Sequence, residues 1–403
     1  MSIYQKMFGF KRIINASGTM TSLGGSLMPP EVIEAMNEAA KDWVSIPELL
    51  VAAGRRIAEI AGVEDCLISS GCSACITLST AACITGMDRD KMARLPNTEG
   101  MRNELVWQRG HYPAYAAQFK AAGAKLVVVG GGTVVLDTPN LIGGKRIPAL
   151  RTLGVSPEDV EAAITENTFA LAYTIGWSLP QEGLVPLEEY CKIAHEHDLP
   201  VIVDAASELP YLTDGKFDLG RFNRMGADIV CFSGGKAMRG PNDTGIAIGD
   251  KEIVEAARMQ SNPNSGIGRG FKVSKEQIIG LLVAVERCAS LDWSQVIKEE
   301  RERARRIVEE LESVPHIKTE IVYPDETGLP VSRVWIRLDE KALRISAGEV
   351  MERMRNGDPS IYLRPGYTDL GIIIVDVQVM RPGEEEIVAK RLKEVLTSRL
   401  PSN

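Results

Sequence analysis

The sequence predicts an α/β fold, a mostly parallel sheet sandwiched by helices, followed by a smaller C-terminal α+β domain. Three observations carry this. Short β-rich runs alternate with helical periods through the first two thirds of the chain, the rhythm of βαβ units. Runs such as Pro200-Val-Ile-Val-Asp204 are apolar without alternation, as strands buried on both faces are. Beyond Gly270 the rhythm gives way to two long helices with no strand between them. The 403 residues are 44% hydrophobic and 25% charged, a balance that excludes a disordered, collagen-like or coiled-coil chain.

Taken in order, Pro29-Pro30 followed by Glu31 opens a helix with proline in its first turn and acids near its positive end. Between Asp65 and Asp88 lie 22 residues without a charge, long enough to span a bilayer. Its serines and threonines make it too polar for lipid, so a closely packed buried helix is expected. Strands are expected at Cys66 to Ile68, Glu104 to Trp107, Lys125 to Val129, Thr168 to Thr174, Val201 to Val203 and Ile229 to Phe232. Helices fall between them at Ala114 to Ala122, Pro157 to Ile164 and Leu187 to His197. Two long helices follow, Ser274 to Ser290 and Trp293 to Ser313. Strands at Ile317 to Tyr323, Arg333 to Leu338, Ile361 to Arg364 and Ile372 to Val375, with helices at Ala347 to Arg355 and Pro382 to Leu396, complete the chain. The expected division is an N-terminal arm at 1–40, a large domain at 41–272, and linking helices with a small domain at 273–403.

Forty-six basic against 54 acidic residues give a net charge of -8, the wrong sign for a phosphate-backbone partner, and no membrane partner is expected. Seven scattered cysteines suggest reduced thiols in the cytoplasm. Residues Met1 to Phe10 lack the apolar core of a signal peptide, so the sequon at Asn15-Ala16-Ser17 is not expected to be glycosylated.

Three segments carry chemistry. The first, Cys66-Leu-Ile-Ser-Ser-Gly-Cys-Ser-Ala-Cys75, is a strand, a small-residue turn and a helix start. Helix-start amides of Gly71 to Ser73 and the hydroxyls of Ser70 and Ser73 would cradle a phosphate. Cys72 and Cys75 raise zinc and redox alternatives, but no second ligand pair exists for zinc, and a phosphate would oppose a thiolate. The second is the apolar strand ending on Asp204, where open α/β sheets bind ligands and where a protonated heterocycle nitrogen would offset a buried acid; a helix-capping role is the alternative. The third, Ile229-Val-Cys-Phe-Ser233-Gly-Gly-Lys236, sets a lysine against close-packed backbone, where lost solvation makes the amine a nucleophile toward carbonyls. A phosphate cradle, an acid and a lysine are together what pyridoxal phosphate requires.

The chain resembles fold-type I pyridoxal phosphate enzymes over nearly its whole length, most closely the selenocysteine synthase-like family. The marks are Ile14-Asn-Ala-Ser-Gly-Thr-Met-Thr-Ser-Leu-Gly-Gly25, Ser69-Ser-Gly-Cys-Ser-Ala74, Ser233-Gly-Gly-Lys-Ala-Met-Arg-Gly-Pro241 and Gly268-Arg-Gly-Phe-Lys-Val-Ser-Lys-Glu276. The resemblance implies that Lys236 is the Schiff-base lysine and Asp204 the pyridinium partner. It implies phosphate ligands at Ser70 to Ser73 and Ser233, with His111 stacked on the ring and Ala206 on its other face. Arg109 is the neighbour that could replace His111. A cysteine stands at position 72 where the family usually has a small residue.

For substrate, Arg364 offers a guanidinium fork to an α-carboxylate, with a surface salt bridge as the alternative. Arg269, Lys272 and Asn15 resemble further substrate-binding positions. His195 and His197 do not share a helix face and read as surface residues. The expected activity is a lyase removing water and ammonia from a small anionic β-hydroxy amino acid or amino-sugar acid, as a homodimer or larger assembly. A racemase or epimerase is the alternative, with His111 or a cysteine as second acid/base. A selenium transferase is disfavoured by the negative charge and because Asn15 comes so early, without the extra tRNA-binding domain. A nicotinamide dehydrogenase is disfavoured because Gly130-Gly-Gly132 leads into Thr133-Val-Val-Leu-Asp137 and not a helix.

Overall fold

A computed structural model describes residues 2–111, 115–135, 151–175, 183–326 and 328–399. It divides into two compact units, one of Met1–Leu27, Tyr211–Lys216 and Asp292–Asn403, the other of Met28–Pro210 and Phe217–Leu291. Ala114, the first residue of an expected helix, and Leu136 and Asp137 of the glycine-turn run lie outside the described residues.

The larger unit is built on seven strands: Asp65–Ser69 (β1), Glu104–Gln108 (β2), Lys125–Val129 (β3), Thr168–Thr174 (β4), Val201–Asp204 (β5), Ile229–Ser233 (β6) and Gly245–Gly249 (β7). Their order across the sheet is β1-β7-β6-β5-β4-β2-β3. The neighbours from β6 through β3 are parallel, and β7 runs antiparallel between β1 and β6. Every residue of β4, β5 and β7 is buried, which is why these strands read as apolar runs without alternation. β7 was not expected from the sequence. Gly-Ile-Ala-Ile-Gly is short, glycine-bounded and indistinguishable from a buried turn until its two neighbours are known.

The chargeless run folds as β1, a turn and the helix Cys72–Thr85. That helix is buried on nearly all sides, including Thr77, Ser79, Thr80 and Thr85, because it packs on the sheet and on the helix Lys251–Gln260. Thr80 and Thr85 satisfy their hydroxyls on carbonyls one turn back, which lets polar residues sit in a core. Among the described residues no helix is long and apolar enough to cross a membrane.

The helix Lys275–Ser290 packs against Pro30–Ala39 and Ile46–Ala61 and so belongs to the larger unit. The contact division thus falls at Leu291, not at the expected 272, and residues 28–40 join the larger unit instead of an arm. Arg287 reinforces this by pairing with Glu31 at 2.6 Å.

The smaller unit has a three-stranded antiparallel sheet of Ile317–Val322, Arg333–Leu338 and Ile372–Asp376, and a parallel pair of Ile13–Ala16 with Ser360–Leu363. Its core draws on Trp293–Leu311, Ala347–Asn356 and Glu384–Thr397 through Ile307, Leu311, Val350, Val388 and Leu392. Each such side chain stabilises the unit by about 1.5–3 kcal/mol relative to exposure.

At Gly245 an added Cβ would lie 2.3 Å from the Gly71 carbonyl carbon and 2.5 Å from the Cys72 nitrogen. Gly245→Ala is expected to destabilise the protein by about 1–3 kcal/mol through backbone displacement, lowering the melting temperature by several degrees. An unchanged melting temperature would show that β7 yields at this point.

Candidate active site

Strand register gathers the predicted residues along one edge of the sheet. Gly245 aligns with both Ser69 and Ser233, Thr174 with Asp204, and Asp204 with Cys231. The carboxyl ends of β1, β6 and β5 therefore deliver the cradle, the lysine loop and the acid to the same border. This is the border at which α/β sheets bind ligands.

The cradle follows β1. Gly71 takes φ 89° and ψ 163° as the residue before the Cys72–Thr85 helix, a conformation that L side chains avoid. Its open side would admit a Cβ without a neighbour inside 4 Å, while Gly245 closes the other side. Amides at the start of a helix have no acceptor within it and point outward with the positive end of the helix dipole. Ser70 and Ser73 are half-buried beside them.

Asp204 ends β5 and is 2% exposed. Its Oδ1 accepts the Ala206 amide at 3.0 Å and the Cys72 thiol at 3.7 Å. Its Oδ2 is buried with no hydrogen-bond partner among the described residues. Burial raises the Asp204 pKa, against the Ala206 amide, the Lys236 charge and the Cys72 thiol. A buried acceptor of this kind calls for a donor that the described residues do not supply.

Lys236 lies in the turn after β6, folded back by Gly234 donating to the Thr244 carbonyl at 2.8 Å and Gly240 donating to Gly234 at 2.8 Å. Burial lowers its pKa, with Cys72 and Asp204 acting the other way. The half-buried Ser233 and Ala206 flank these groups in the chain. Tyr115, at φ 53°, was missed by the sequence reading. Burial, Asp204 and Cys72 all raise its phenol pKa, which places it within electrostatic reach of the acid. No sequence pattern marks it.

His111 is wholly buried. Its Nδ1 accepts the Thr174 amide at 3.3 Å, which puts the proton of the neutral ring on Nε2, and its ring meets Tyr173 edge-on at 4.5 Å. Thr174 is the register partner of Asp204, so His111 is fixed to the strand beside the acid. Arg109 is exposed and donates to the Gly130 carbonyl at 2.7 Å.

The other residues are placed differently. Arg269 is exposed and donates to the Pro263 carbonyl at 2.7 Å, and Lys272 is exposed. Asn15 and Arg364 belong to the smaller unit. Asn15 closes a turn, donating to the Gly18 carbonyl at 2.9 Å and accepting from Ser17 at 3.0 Å. Arg364 is 4% exposed, and its Nε meets Glu326 Oε1 at 3.3 Å. Glu326 also pairs with the buried Arg333, which contacts Asp325 at 2.7 Å and Asp376 at 3.0 Å. Arg364 is thus part of a buried ionic network and not of a surface salt bridge. His195 and His197 pair with Asp228 at 3.0 Å and Glu161 at 2.7 Å, both partly exposed.

All seven cysteines are thiols. Burial, and the neighbouring Asp204 charge in the first case, push the Cys72 pKa well above the ordinary value; burial and nearby thiols do the same to Cys75. Neither is poised as a thiolate.

An aminotransferase class-V family model matches residues 145–334. A 5'-C-glycyluridine monooxygenase-decarboxylase from a Streptomyces species is 34% identical, over 98% of this chain and 92% of the relative. A D-glucosaminate-6-phosphate ammonia lyase from Salmonella typhimurium is 32% identical over 98% of each chain. An L-seryl-tRNA(Sec) selenium transferase from Aquifex aeolicus is 25% identical over 96% of this chain and 84% of the relative. The solved structure of a D-glucosaminate-6-phosphate ammonia-lyase superposes with a TM-score of 0.81, 29% identity and full coverage of both chains.

Because the Asp204 pKa is raised in the fold, its ionisation costs stability above its unfolded value of 3.8. Below that value the carboxyl is protonated in both states and the cost vanishes. Cofactor-free Asp204→Asn is therefore expected to melt above the wild type at neutral pH, the gap closing as pH falls toward 3.8. Melting curves across that range check it; a variant less stable at every pH would contradict the assignment of burial as the dominant cause.

Proposed function

The chain belongs to the selenocysteine synthase-like family of fold-type I pyridoxal phosphate enzymes, and on that premise we propose that it is an ammonia-lyase. Its substrate on this reading is a small anionic β-hydroxy amino acid or amino-sugar acid. The observation that carries the reading is the unpartnered Asp204 Oδ2, a buried acceptor at the strand ends beside the Lys236 turn. It fits a protonated ring nitrogen, and the cradle on Gly71 fits a phosphate.

The residues that would hold the cofactor are Ser70, Gly71, Cys72, Ser73 and Ser233 at the phosphate, through backbone amides and hydroxyls. Asp204 would serve the ring nitrogen, Lys236 the aldehyde, and His111 and Ala206 the two ring faces. When bound, pyridoxal phosphate withdraws electrons from the substrate's Cα and so acidifies its proton. Burial favours a neutral Lys236 amine, so Nζ would hold the aldehyde and, once the substrate's amine displaces it, would be free to take the Cα proton. Asp204 holds the ring-nitrogen proton in place. His111, its tautomer set by the Thr174 amide, presents a fixed face. Loss of the β-hydroxyl as water, then hydrolysis, leaves a keto acid and ammonia. Arg364 is proposed for the substrate carboxylate, with Arg269, Lys272 and Asn15 as further anion and hydroxyl partners. The negative net charge supports a small substrate over tRNA, and reduced thiols support a cytoplasmic enzyme. A homodimer or larger assembly is supported by the apolar exposure of Ile3, Tyr4, Met7, Phe8 and Trp43, the last 99% exposed.

The wild type loaded with pyridoxal phosphate is expected to absorb in the visible and to be fixed on Lys236 by borohydride, as peptide mapping reads; Lys236→Ala gives no fixed peptide. Ammonia and keto acid should appear from D-glucosaminate 6-phosphate or a β-hydroxy amino acid. Deuterium exchange at Cα without ammonia would instead establish the racemase or epimerase reading. Arg364→Lys is expected to raise KM for the anionic substrate about 10- to 100-fold, with a smaller effect on kcat, as loss of a charge-assisted bond does. An unchanged KM removes Arg364 from the substrate site.

A further inference from the structure

We propose that Cys72 is a positioning residue for the cofactor. Its thiol donates to Asp204 Oδ1 and, with the Ala206 amide, orients the carboxylate so that Oδ2 is the oxygen left for the ring nitrogen. The inference rests on the cofactor reading above.

Cys72 opens the helix after the cradle and Asp204 closes β5, so the contact spans 132 residues of sequence. Both donors that reach the carboxylate go to the same oxygen, Ala206 N–H at 3.0 Å and Cys72 Sγ at 3.7 Å, the longer separation suiting sulfur. The other oxygen receives none among the described residues. Cys72 is 6% exposed and Asp204 2%, so the thiol–carboxylate contact is shielded from bulk solvent. A lone amide would leave the carboxylate held at one point. Two donors on one oxygen hold it against rotation and favour the ionised form, which a cationic ring needs.

A donor must keep its proton. Burial and the Asp204 charge disfavour the thiolate, so the thiol acts by donation and not as a nucleophile or redox centre. The departure at position 72 is then a device of this chain's acid and not a change in its phosphate cradle, to which Cys72 contributes its backbone amide.

The direct test uses the cofactor-free protein. The Raman difference between wild type and Cys72→Ser isolates one S–H stretching band from the seven cysteines. It is expected at the lowered frequency of a hydrogen-bonded thiol and should move toward the free-thiol position in Asp204→Asn, whose acceptor is uncharged. Should Asp204→Asn not fold, the wild-type band position decides alone. Equilibrium dialysis gives the second readout. Cys72→Ala should lose cofactor affinity roughly three- to tenfold, and Cys72→Ser, which keeps a donor, should recover most of it. A free-thiol band, or equal loss in the Ala and Ser variants, in an enzyme that binds the cofactor would overturn this role alone. A lowered band in a wild type that takes up no cofactor would overturn the cofactor reading and the role together, leaving only the thiol–carboxylate contact.

Discussion

A half-satisfied carboxylate buried at the end of a central strand is the constraint around which the larger unit is arranged. Asp204 stands at the middle of the seven-stranded order, with the lysine strand beside it and the cradle strand reached through β7. Desolvating a charge is among the larger costs a fold can bear, and here only one oxygen is compensated from within. Among the described residues nothing compensates the other oxygen, and the turns before Lys236 and before Cys72 lie at the same strand-end border.

The antiparallel strand β7 joins these parts mechanically. Gly245 pairs with Ser69 on one side and Ser233 on the other, so the cradle and the lysine turn share one register. A Cβ there would strike the Gly71 and Cys72 backbone, so the turn that opens the Cys72–Thr85 helix depends on a missing side chain in β7. The smaller unit meets a comparable problem with charge pairs among its own residues. Its buried Arg333 is surrounded by Asp325, Glu326 and Asp376, which raise its already high pKa, and Glu326 passes the pairing on to Arg364.

Much of this was legible in the sequence because it rests on local pattern. Thr168–Thr174, Lys125–Val129 and Arg333–Leu338 fall where the sequence places them, since short runs rich in β-branched, aromatic and other apolar residues leave little choice. Asp204 and Lys236 stand out in the sequence for the opposite reason: each breaks the apolar rule at or just after a strand end, where fold stability alone would not put a charge. What was missed depends on pairs distant in sequence. β7 is defined by two neighbours, the membership of the expected helix Lys275–Ser290 in the larger unit by the face it covers on Pro30–Ala39, and the direction of the Cys72 thiol by an aspartate 132 residues away. Spacing rules placed Cys72 in the cradle and had no means to turn its side chain toward β5.

The same electrostatics ties stability to occupancy. Burial raises the Asp204 pKa and lowers that of Lys236, so it penalises the charged form of each. A cofactor that supplies a donor to the acid and consumes the amine removes both penalties at once. Ligands that bind only the folded state stabilise it by about 2.7 kcal/mol at a hundredfold excess over Kd. A sheet edge with no chemistry to perform would have no reason to keep a half-satisfied acid and a desolvated lysine together. Their coexistence is the strongest physical argument that this edge was built around a donor the described residues do not provide.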